Sequence, residues 1–183
     1  MRIISGKYRG RQLVSFKADH IRPTTDRVKE SLFNILMGQV EGARVLDLFS
    51  GTGNLAIECL SRGARWVDLV ENNRKSLAII RENLANLKIE EGYKIYPIDA
   101  FKYIREYTGE PYDVILVDPP FTRSWAHDLA LAIGASQLHS ETTSIVIESS
   151  SQESLLDSYP GLKRLDQREF GDKYLNFFAF APK

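Results

Sequence analysis

Residues 115–121 read ILVDPPF, so a carboxylate, two prolines and an aromatic ring directly follow an apolar run. Asp118 and the carbonyl oxygen of Pro119 can each accept a hydrogen bond from one N–H of an exocyclic amine. Pro119 and Pro120 make the acceptor array rigid, and Phe121 offers a face on which a base can stack. The motif favours chemistry at such an amine, because two acceptors orient the nitrogen and offset its developing positive charge. The alternative is a strand that two prolines terminate.

Residues 47–53 read DLFSGTG and join a predicted strand to a predicted helix. Gly51 and Gly53 allow a tight turn and the close approach of a ligand. With Ala56 they also fit the dinucleotide fingerprint GxGxxA, so NAD is one candidate ligand. Asp47 at the strand end would repel a pyrophosphate but suits the amino group of a methionine moiety, which favours S-adenosylmethionine. Glycines needed only for the turn are a further alternative.

Two more acids follow the next two predicted strands, Glu71 and Asp99. A carboxylate at the position of Glu71 can accept both hydroxyls of a ribose. Asp99 can accept from an exocyclic amine such as that of adenine, or it can cap the helix that follows it. Acids at three consecutive strand ends predict a nucleoside-containing cofactor lying across the top of the sheet.

These residues require an α/β framework in which strands and helices alternate. Apolar runs predict strands at 44–49, 65–71, 93–98, 112–118 and 143–149, and helices at 51–61, 74–87, 100–107 and 126–133. Two alternating segments, 163–170 and 173–180, predict a hairpin that turns at Gly171-Asp172. We expect a Rossmann-like fold with a seven-stranded, mostly parallel sheet and an antiparallel C-terminal hairpin.

The N-terminal residues differ in composition from the rest of the chain. Residues 1–16 predict two short strands, and a helix of about three turns follows Pro23. We expect residues 1–40 to form a hairpin and helix extension packed on a domain of residues 41–183. Residues 1–29 hold eight basic and two acidic side chains, a net charge of +6 that balances −6 on the remainder. This asymmetry is typical either of a nucleic-acid contact or of a solvated surface.

Composition narrows the remaining possibilities. A single cysteine, Cys59, excludes an internal disulfide and suggests a reducing compartment. No apolar stretch is long enough to cross a bilayer, and the first ten residues have no signal-peptide core. We therefore expect a cytoplasmic protein without a membrane association. The sequence shows no metal-ligand cluster, and we expect a monomer that uses no metal.

The whole set of motifs resembles one family. DLFSGTG, Glu71, PIDAF and DPPF resemble the motifs of class I S-adenosylmethionine-dependent methyltransferases that act on exocyclic amines. MRIISGKYRGRQL, RPTTDRVKESLFNIL and VLDLFSGTGNLAIECLSRGA further resemble the RsmD family of bacterial enzymes, which methylate guanine N2 in 16S ribosomal RNA. The resemblance spans nearly the whole chain, and it implies a guanine of the small ribosomal subunit as the substrate.

The resemblance also implies roles for individual residues. The cofactor-binding residues would be Asp47, Phe49, Ser50, Gly51, Thr52, Gly53, Glu71, Asn72, Asp99 and Ala100. Asp118, Pro119, Pro120 and Phe121 would hold the target guanine. The residues on the RNA side would be Arg2, Lys7, Arg9, Arg11, Arg22, Pro23 and Thr24.

Three alternatives differ in substrate or class. A DNA adenine-N6 methyltransferase would use DPPF equally well, although 183 residues leave little room for a target-recognition region. An NAD(P)-dependent oxidoreductase would use the glycine loop and leave DPPF unexplained. A catalytically idle RNA-binding subunit would bind RNA without turnover, and the intact Asp118 argues against it.

Overall fold

The computed structural model describes residues 1–16, 26–120 and 123–182. Five helices and eight strands lie in these ranges. The helices are α1 (Asp26–Ile35), α2 (Asn54–Ser61), α3 (Arg74–Asn86), α4 (Ala100–Glu106) and α5 (Ala126–Gly134). The strands are β1 (Arg44–Leu48), β2 (Trp66–Val70), β3 (Tyr93–Tyr96), β4 (Val114–Val117), β5 (Ser144–Ser150), β6 (Ser158–Tyr159), β7 (Leu162–Phe170) and β8 (Lys173–Phe180). None of the described helices is long and apolar enough to span a membrane.

All the described strands form one sheet in the order β3-β2-β1-β4-β5-β8-β7-β6. The first five in this order are parallel, and β8 pairs antiparallel with β5. The order 3-2-1-4-5 is that of doubly wound Rossmann folds. In such sheets the strand order reverses beside the first strand, so ligands bind where β1 and β4 end.

Seven strands were predicted, but the described part of the sheet has eight. The additional strand is β6, which pairs antiparallel with the start of β7 across the turn at Pro160-Gly161. It is only two residues long, and so short a strand carries no alternation that a sequence pattern could reveal.

The sheet has a buried core on each face, as expected for parallel strands covered by helices. On one face, α1, α2 and α3 pack with residues 1–16 over side chains such as Val45, Leu116 and Val146. On the other face, α4 and α5 cover side chains such as Leu46, Ile115 and Ile145. The side chains of successive residues in β1, β4 and β5 therefore point alternately into the two cores.

Residues 1–16, which we call the N-terminal segment, contain an isolated bridge between Arg2 and Gln12 where two short strands were predicted. The segment docks on α2. The N–H groups of Ile4 and Ser5 donate to the two carboxylate oxygens of Glu58, at 2.9 and 3.0 Å. The N–H of Lys7 donates to the carbonyl oxygen of Ser61 at 2.7 Å. These contacts support our proposal that residues 1–40 form an extension of the core.

Candidate cofactor and substrate site

Four predicted site residues lie at or just after the carboxyl ends of four adjacent strands. Asp99, Glu71 and Asp118 come after β3, β2 and β4, and Asp47 lies at the end of β1. The sheet order therefore places Asp99, Glu71, Asp47 and Asp118 side by side at the carboxyl edge, and we call these four residues the acid row. Parallel strands end about 4.8 Å from their neighbours. The row therefore concentrates negative charge where this fold binds its ligands.

Asp47 is the buried member of the acid row. Its Oδ2 accepts a hydrogen bond from the backbone N–H of Ala56 at 3.1 Å, in the first turn of α2. Burial raises the pKa of Asp47 well above its ordinary value, and the charges of Asp118 and Glu71 raise it further. Asp47 thus holds the glycine loop on α2, and the charges of Asp118 and Glu71 next to it create a negative potential that favours a cationic ligand.

The glycine loop has the left-handed backbone that its residue types predict. Gly51 and Gly53 have φ values of 55° and 78°, and Phe49 between the strand and the loop has φ 63°. A Cβ at Gly53 would lie 3.3 Å from Ile57 Cδ1, so this position is also restricted by packing. A Cβ at Gly51 would meet only the Phe49 carbonyl oxygen, at 3.9 Å. The space beside Gly51 is therefore open to a ligand.

The sequence predicted that the helix after the glycine loop begins at Gly51. This start is wrong, because α2 begins at Asn54. Ser50 and Thr52 are buried in the loop. The Ser50 hydroxyl donates to the carbonyl oxygen of Asp47 at 2.8 Å, and the Thr52 carbonyl oxygen accepts from Asn83 Nδ2 at 3.0 Å. Backbone groups on both sides of the glycines are thus held in place.

Glu71 closes the loop from β2. Its Oε2 accepts from the N–H of Gly51, and its Oε1 accepts from the N–H of Asn73, both at 2.8 Å. Each carboxylate oxygen can accept a second hydrogen bond, so the predicted bonds to two ribose hydroxyls remain compatible with this geometry. Asn72 is exposed between Glu71 and Asn73, and the side chain of Asn73 caps α3.

Asp99 has the position of a helix cap. Its Oδ1 accepts from the N–H of Lys102 at 3.0 Å, as the cap alternative predicts. The side chain is exposed and Ala100 beside it is buried. Because the cap uses only Oδ1, Oδ2 of Asp99 can still contact an adenine. That contact stays a prediction.

The DPP part of the fourth motif directly follows β4. The N–H of Asp118 lies 3.4 Å from the carbonyl oxygen of Leu48, which joins this turn to the end of β1. Asp118 is half-buried, Pro119 is buried and Pro120 is exposed. Phe121 lies outside the described residues, as do Arg22, Pro23 and Thr24.

The basic residues of the N-terminal segment are at the surface. Arg2, Lys7, Arg9 and Arg11 are exposed. Arg2 Nε forms an ion pair with Asp26 Oδ2 at 2.7 Å, and Lys7 lies over the ring of Tyr8. Their roles toward RNA stay predictions.

Sequence reasoning missed two groups near the site. Trp125 packs against Phe49, with ring centroids 6.0 Å apart, and against Phe101, at 5.7 Å. Glu148 and Lys173 form a buried ion pair next to Asp118. Neither group belongs to a local motif, although the position of Trp125 shortly after DPPF was a usable signal.

The described residues offer no cluster of three or more His, Cys, Asp or Glu side chains that could hold a metal ion. They do fit a cationic nucleoside ligand. The acid row, the open space at Gly51 and the free acceptor capacity of Glu71 lie along one edge of the sheet.

Fold and site together define a class: this is a Rossmann-like fold of the methyltransferase type. The family described as conserved hypothetical protein 95 matches residues 1–179. The chain belongs to this family, and the predicted family and fold class are confirmed.

Three relatives illustrate the match. The chain is 36% identical over 152 residues to YlbH of Bacillus subtilis, a candidate rRNA methyltransferase, covering 81% of this chain and 82% of YlbH. It is 40% identical over 123 residues to ribosomal RNA small subunit methyltransferase D of Escherichia coli K12. That alignment covers 67% of this chain and 61% of the relative. The structure of YhhF from Escherichia coli, a candidate methyltransferase, is 30% identical with a TM-score of 0.87, covering 100% of this chain and 99% of YhhF.

Proposed function

We propose that this protein transfers a methyl group from S-adenosylmethionine to the exocyclic N2 of a guanine in 16S ribosomal RNA. The observation that carries the proposal is that Asp118-Pro119 directly follows β4 and is joined to the end of β1 through Leu48, at the edge of the sheet where doubly wound folds bind ligands. The names of the relatives from Bacillus subtilis and Escherichia coli support ribosomal RNA as the substrate class.

The charges of the site favour this cofactor over NAD. S-adenosylmethionine supplies an electrophilic methyl group on a positively charged sulfur. Asp47, Glu71 and Asp118 lie close enough that each of the last two raises the pKa of Asp47. Such a cluster stabilises a sulfonium and an ammonium group, whereas the two negative charges of a pyrophosphate would be repelled.

The chain's own residues then act on the target amine. The carboxylate of Asp118 and the carbonyl oxygen of Pro119 accept the two N–H groups of N2 and hold its lone pair toward the methyl group. As the N–C bond forms and the C–S bond breaks, positive charge develops on the nitrogen and these acceptors stabilise it. The surplus proton leaves the nitrogen for water, directly or by way of Asp118.

The basic N-terminal segment is suited to the RNA backbone. Exposed Arg9 and Arg11 lie on a segment that Glu58 anchors to α2. Salt-dependent contacts of such side chains with phosphates would bring an otherwise acidic body to the RNA. We propose the small ribosomal subunit as the setting, where a guanine can be presented unstacked.

The direct test is methyl transfer from labelled S-adenosylmethionine to small ribosomal subunits from cells that lack this gene. Naked 16S RNA and duplex DNA serve as parallel substrates, and mass spectrometry identifies the labelled nucleoside. N2-methylguanosine from a ribosomal substrate supports the proposal. N6-methyladenine in DNA would keep the chemistry and refute the substrate. No transfer, together with binding of NAD, would refute both.

A pair of variants at the two ends of β4 tests the role of Asp118. We expect Asp118→Ala to lower kcat by about 100-fold or more while cofactor affinity stays nearly unchanged, because the lost hydrogen bond serves the transition state. Asp113→Ala is the matched control, since Asp113 lies just before the other end of β4 and accepts from the N–H of Arg44. Equal losses of turnover in both variants, or a parallel loss of cofactor affinity in Asp118→Ala, would contradict the assignment.

A further inference from the structure

Glu148 of β5 and Lys173 of β8 lie next to Asp118 in the sheet. Val117 of β4 is paired with Ile147 of β5, so Asp118 and Glu148 are the next residues on these adjacent strands. On β8, Lys173 lies two residues from Leu175, the partner of Glu148. Because side chains alternate along strands, the three polar groups project from the same face. They form a row across β4, β5 and β8.

The contacts within this row are close. Lys173 Nζ donates to Glu148 Oε1 at 2.5 Å, and each side chain is only about 5% exposed or less. Glu148 and Asp118 line the same small cavity, and their carboxyl groups are close enough to share a hydrogen bond. Two carboxyl groups can share a hydrogen bond only if one of them carries a proton. Asp118 is half-buried, whereas Glu148 is buried. Burial disfavours the charged form of a carboxyl group, so Glu148 is the one that carries the proton.

The surroundings of Glu148 reinforce this arrangement. Its charged neighbours in the described structure are Asp118 from β4 and Lys173 from β8. The helices that face it contribute apolar side chains, Val28 and Leu32 from α1 and Leu55 from α2. Burial, with the charge of Asp118, raises the pKa of Glu148 to about 8, although Lys173 opposes the shift.

We propose that Glu148 and Lys173 are positioning residues for methyl transfer: Lys173 orients Glu148, and protonated Glu148 donates a hydrogen bond that holds the Asp118 carboxylate toward the target amine. Lys173 donates to Oε1 of Glu148, so a proton on Oε2 can be donated to Asp118. A carboxylate accepts several hydrogen bonds, so Asp118 held in this way can also accept from the target amine. The inference rests on the proposed function of Asp118.

Glu148→Gln is the decisive variant, because an amide keeps the donor toward Asp118 and the acceptor toward Lys173 but does not ionise. We expect kcat at pH 7 within about threefold of wild type, and a wild-type decline between pH 7 and 9 that this variant lacks. We expect Glu148→Ala to lower kcat by about 100-fold with cofactor affinity unchanged, since Asp118 loses its fixed orientation. Lys173→Met should move the decline to higher pH, because the opposing positive charge is gone.

Tyr112→Phe is the control for a merely structural effect. The Tyr112 hydroxyl donates to buried Asp68 in a network near the amino end of β4. Its loss should lower stability without moving the pH profile. A Glu148→Gln profile that coincides with wild type would overturn the proposal. A folded, cofactor-binding Glu148→Gln variant without activity would also overturn it, because the amide retains the proposed hydrogen bonds.

A second measurement remains decisive if the wild type transfers no methyl group, a result that refutes the proposed function alone. The folded state binds an extra proton at Glu148, so its contribution to stability is complete below the ordinary pKa of 4.5 and is lost as pH rises through about 8. Urea unfolding from pH 5 to 9 should show this loss in wild type and not in Glu148→Gln. Identical pH dependence in the two proteins would overturn the shared proton.

Discussion

The ammonium group of Lys29 in α1 lies 3.1 Å from Oε2 of Glu58 in α2, and both side chains are buried. Lys29 also donates to the carbonyl oxygen of Arg2 and to Asn54 Oδ1, at 2.7 and 2.9 Å. Burial lowers the pKa of Lys29, while Glu58 opposes this shift. Since Asn54 directly follows the glycine loop, one cation joins the N-terminal segment, α1 and the start of α2.

Lys29→Met should lower the free energy of unfolding by about 1–3 kcal/mol, because it removes a buried donor from the Arg2 carbonyl oxygen, Asn54 and Glu58, although Arg62 still pairs with Glu58 at 2.9 Å. Urea denaturation measures the loss. Arg2→Ala is the matched control, since the Arg2–Asp26 ion pair is exposed and should contribute about 0–1 kcal/mol. A Lys29→Met variant as stable as Arg2→Ala would show that the buried pair does not hold these elements together.

Cofactor binding should release protons at pH values above the ordinary range of an aspartate. The raised pKa of Asp47 means that this carboxyl takes up a proton well above its ordinary range, and a bound cation would expel that proton. Cofactor affinity should therefore fall as pH falls. Calorimetry with S-adenosylmethionine in buffers of different ionisation enthalpy measures the released protons. The Asp47→Asn variant should bind S-adenosylmethionine more weakly and release fewer protons. If the binding enthalpy of the wild type does not depend on the buffer, the prediction is wrong.

Gly6→Ala should destabilise the protein more than Gly10→Ala. Both glycines have φ near 80°, so alanine costs about 1–2 kcal/mol at either site from backbone strain alone. At Gly6 the new Cβ would also lie 1.7 Å from the carbonyl oxygen of Ser61, whereas nothing lies within 4 Å at Gly10. Thermal unfolding of the two variants isolates the docking of the N-terminal segment on α2. If both variants lose the same stability, the N-terminal segment can move away from Ser61 without a loss of free energy.

Charge reversal at exposed Arg9 and Arg11 should weaken RNA binding without altering affinity for free S-adenosylmethionine. Each lost phosphate contact lowers the slope of log affinity against log salt by about 0.7–0.9, so the double variant should lose about 1–2. Titrations with a 16S RNA fragment at several salt concentrations give the slope. Lys94→Glu combined with Lys163→Glu, at exposed positions of β3 and β7, makes the same change in net charge and is the control. An unchanged slope in the double variant would exclude these two residues from the interface.

The sequence predicts most of the acid row because its members depend on local patterns. Each of Asp47, Glu71 and Asp118 ends an apolar run, and parallel strands bring their carboxyl ends to one edge. The hairpin turn at Gly171-Asp172 is predicted for the same reason, since it separates two alternating segments. The mostly parallel sheet follows from the alternation of strands and helices and is confirmed by the structure, whereas the order of the strands was not predicted.

Features that depend on pairing between distant residues could not be predicted. Glu148 ends an ordinary apolar strand and Lys173 begins another, and nothing local shows that β8 lies beside β5. Asn83 is similar: its side chain joins Val14 of the N-terminal segment to the Thr52 carbonyl oxygen across 69 and 31 residues of chain. Buried polar contacts of this kind become visible only once the register of the sheet is known.

The position of β8 has a consequence for synthesis of the protein on the ribosome. Among the strands that the structure describes, β8 comes after the other seven along the chain, yet it lies between β5 and β7. Until residues 173–180 emerge, the β5 edge of the parallel strands is unpaired and exposed to aggregation or to chaperones. Lys173 arrives with that same strand. A nascent chain that already contains DPPF would therefore still lack the cation beside Glu148, and the site would be completed only when the last strand inserts.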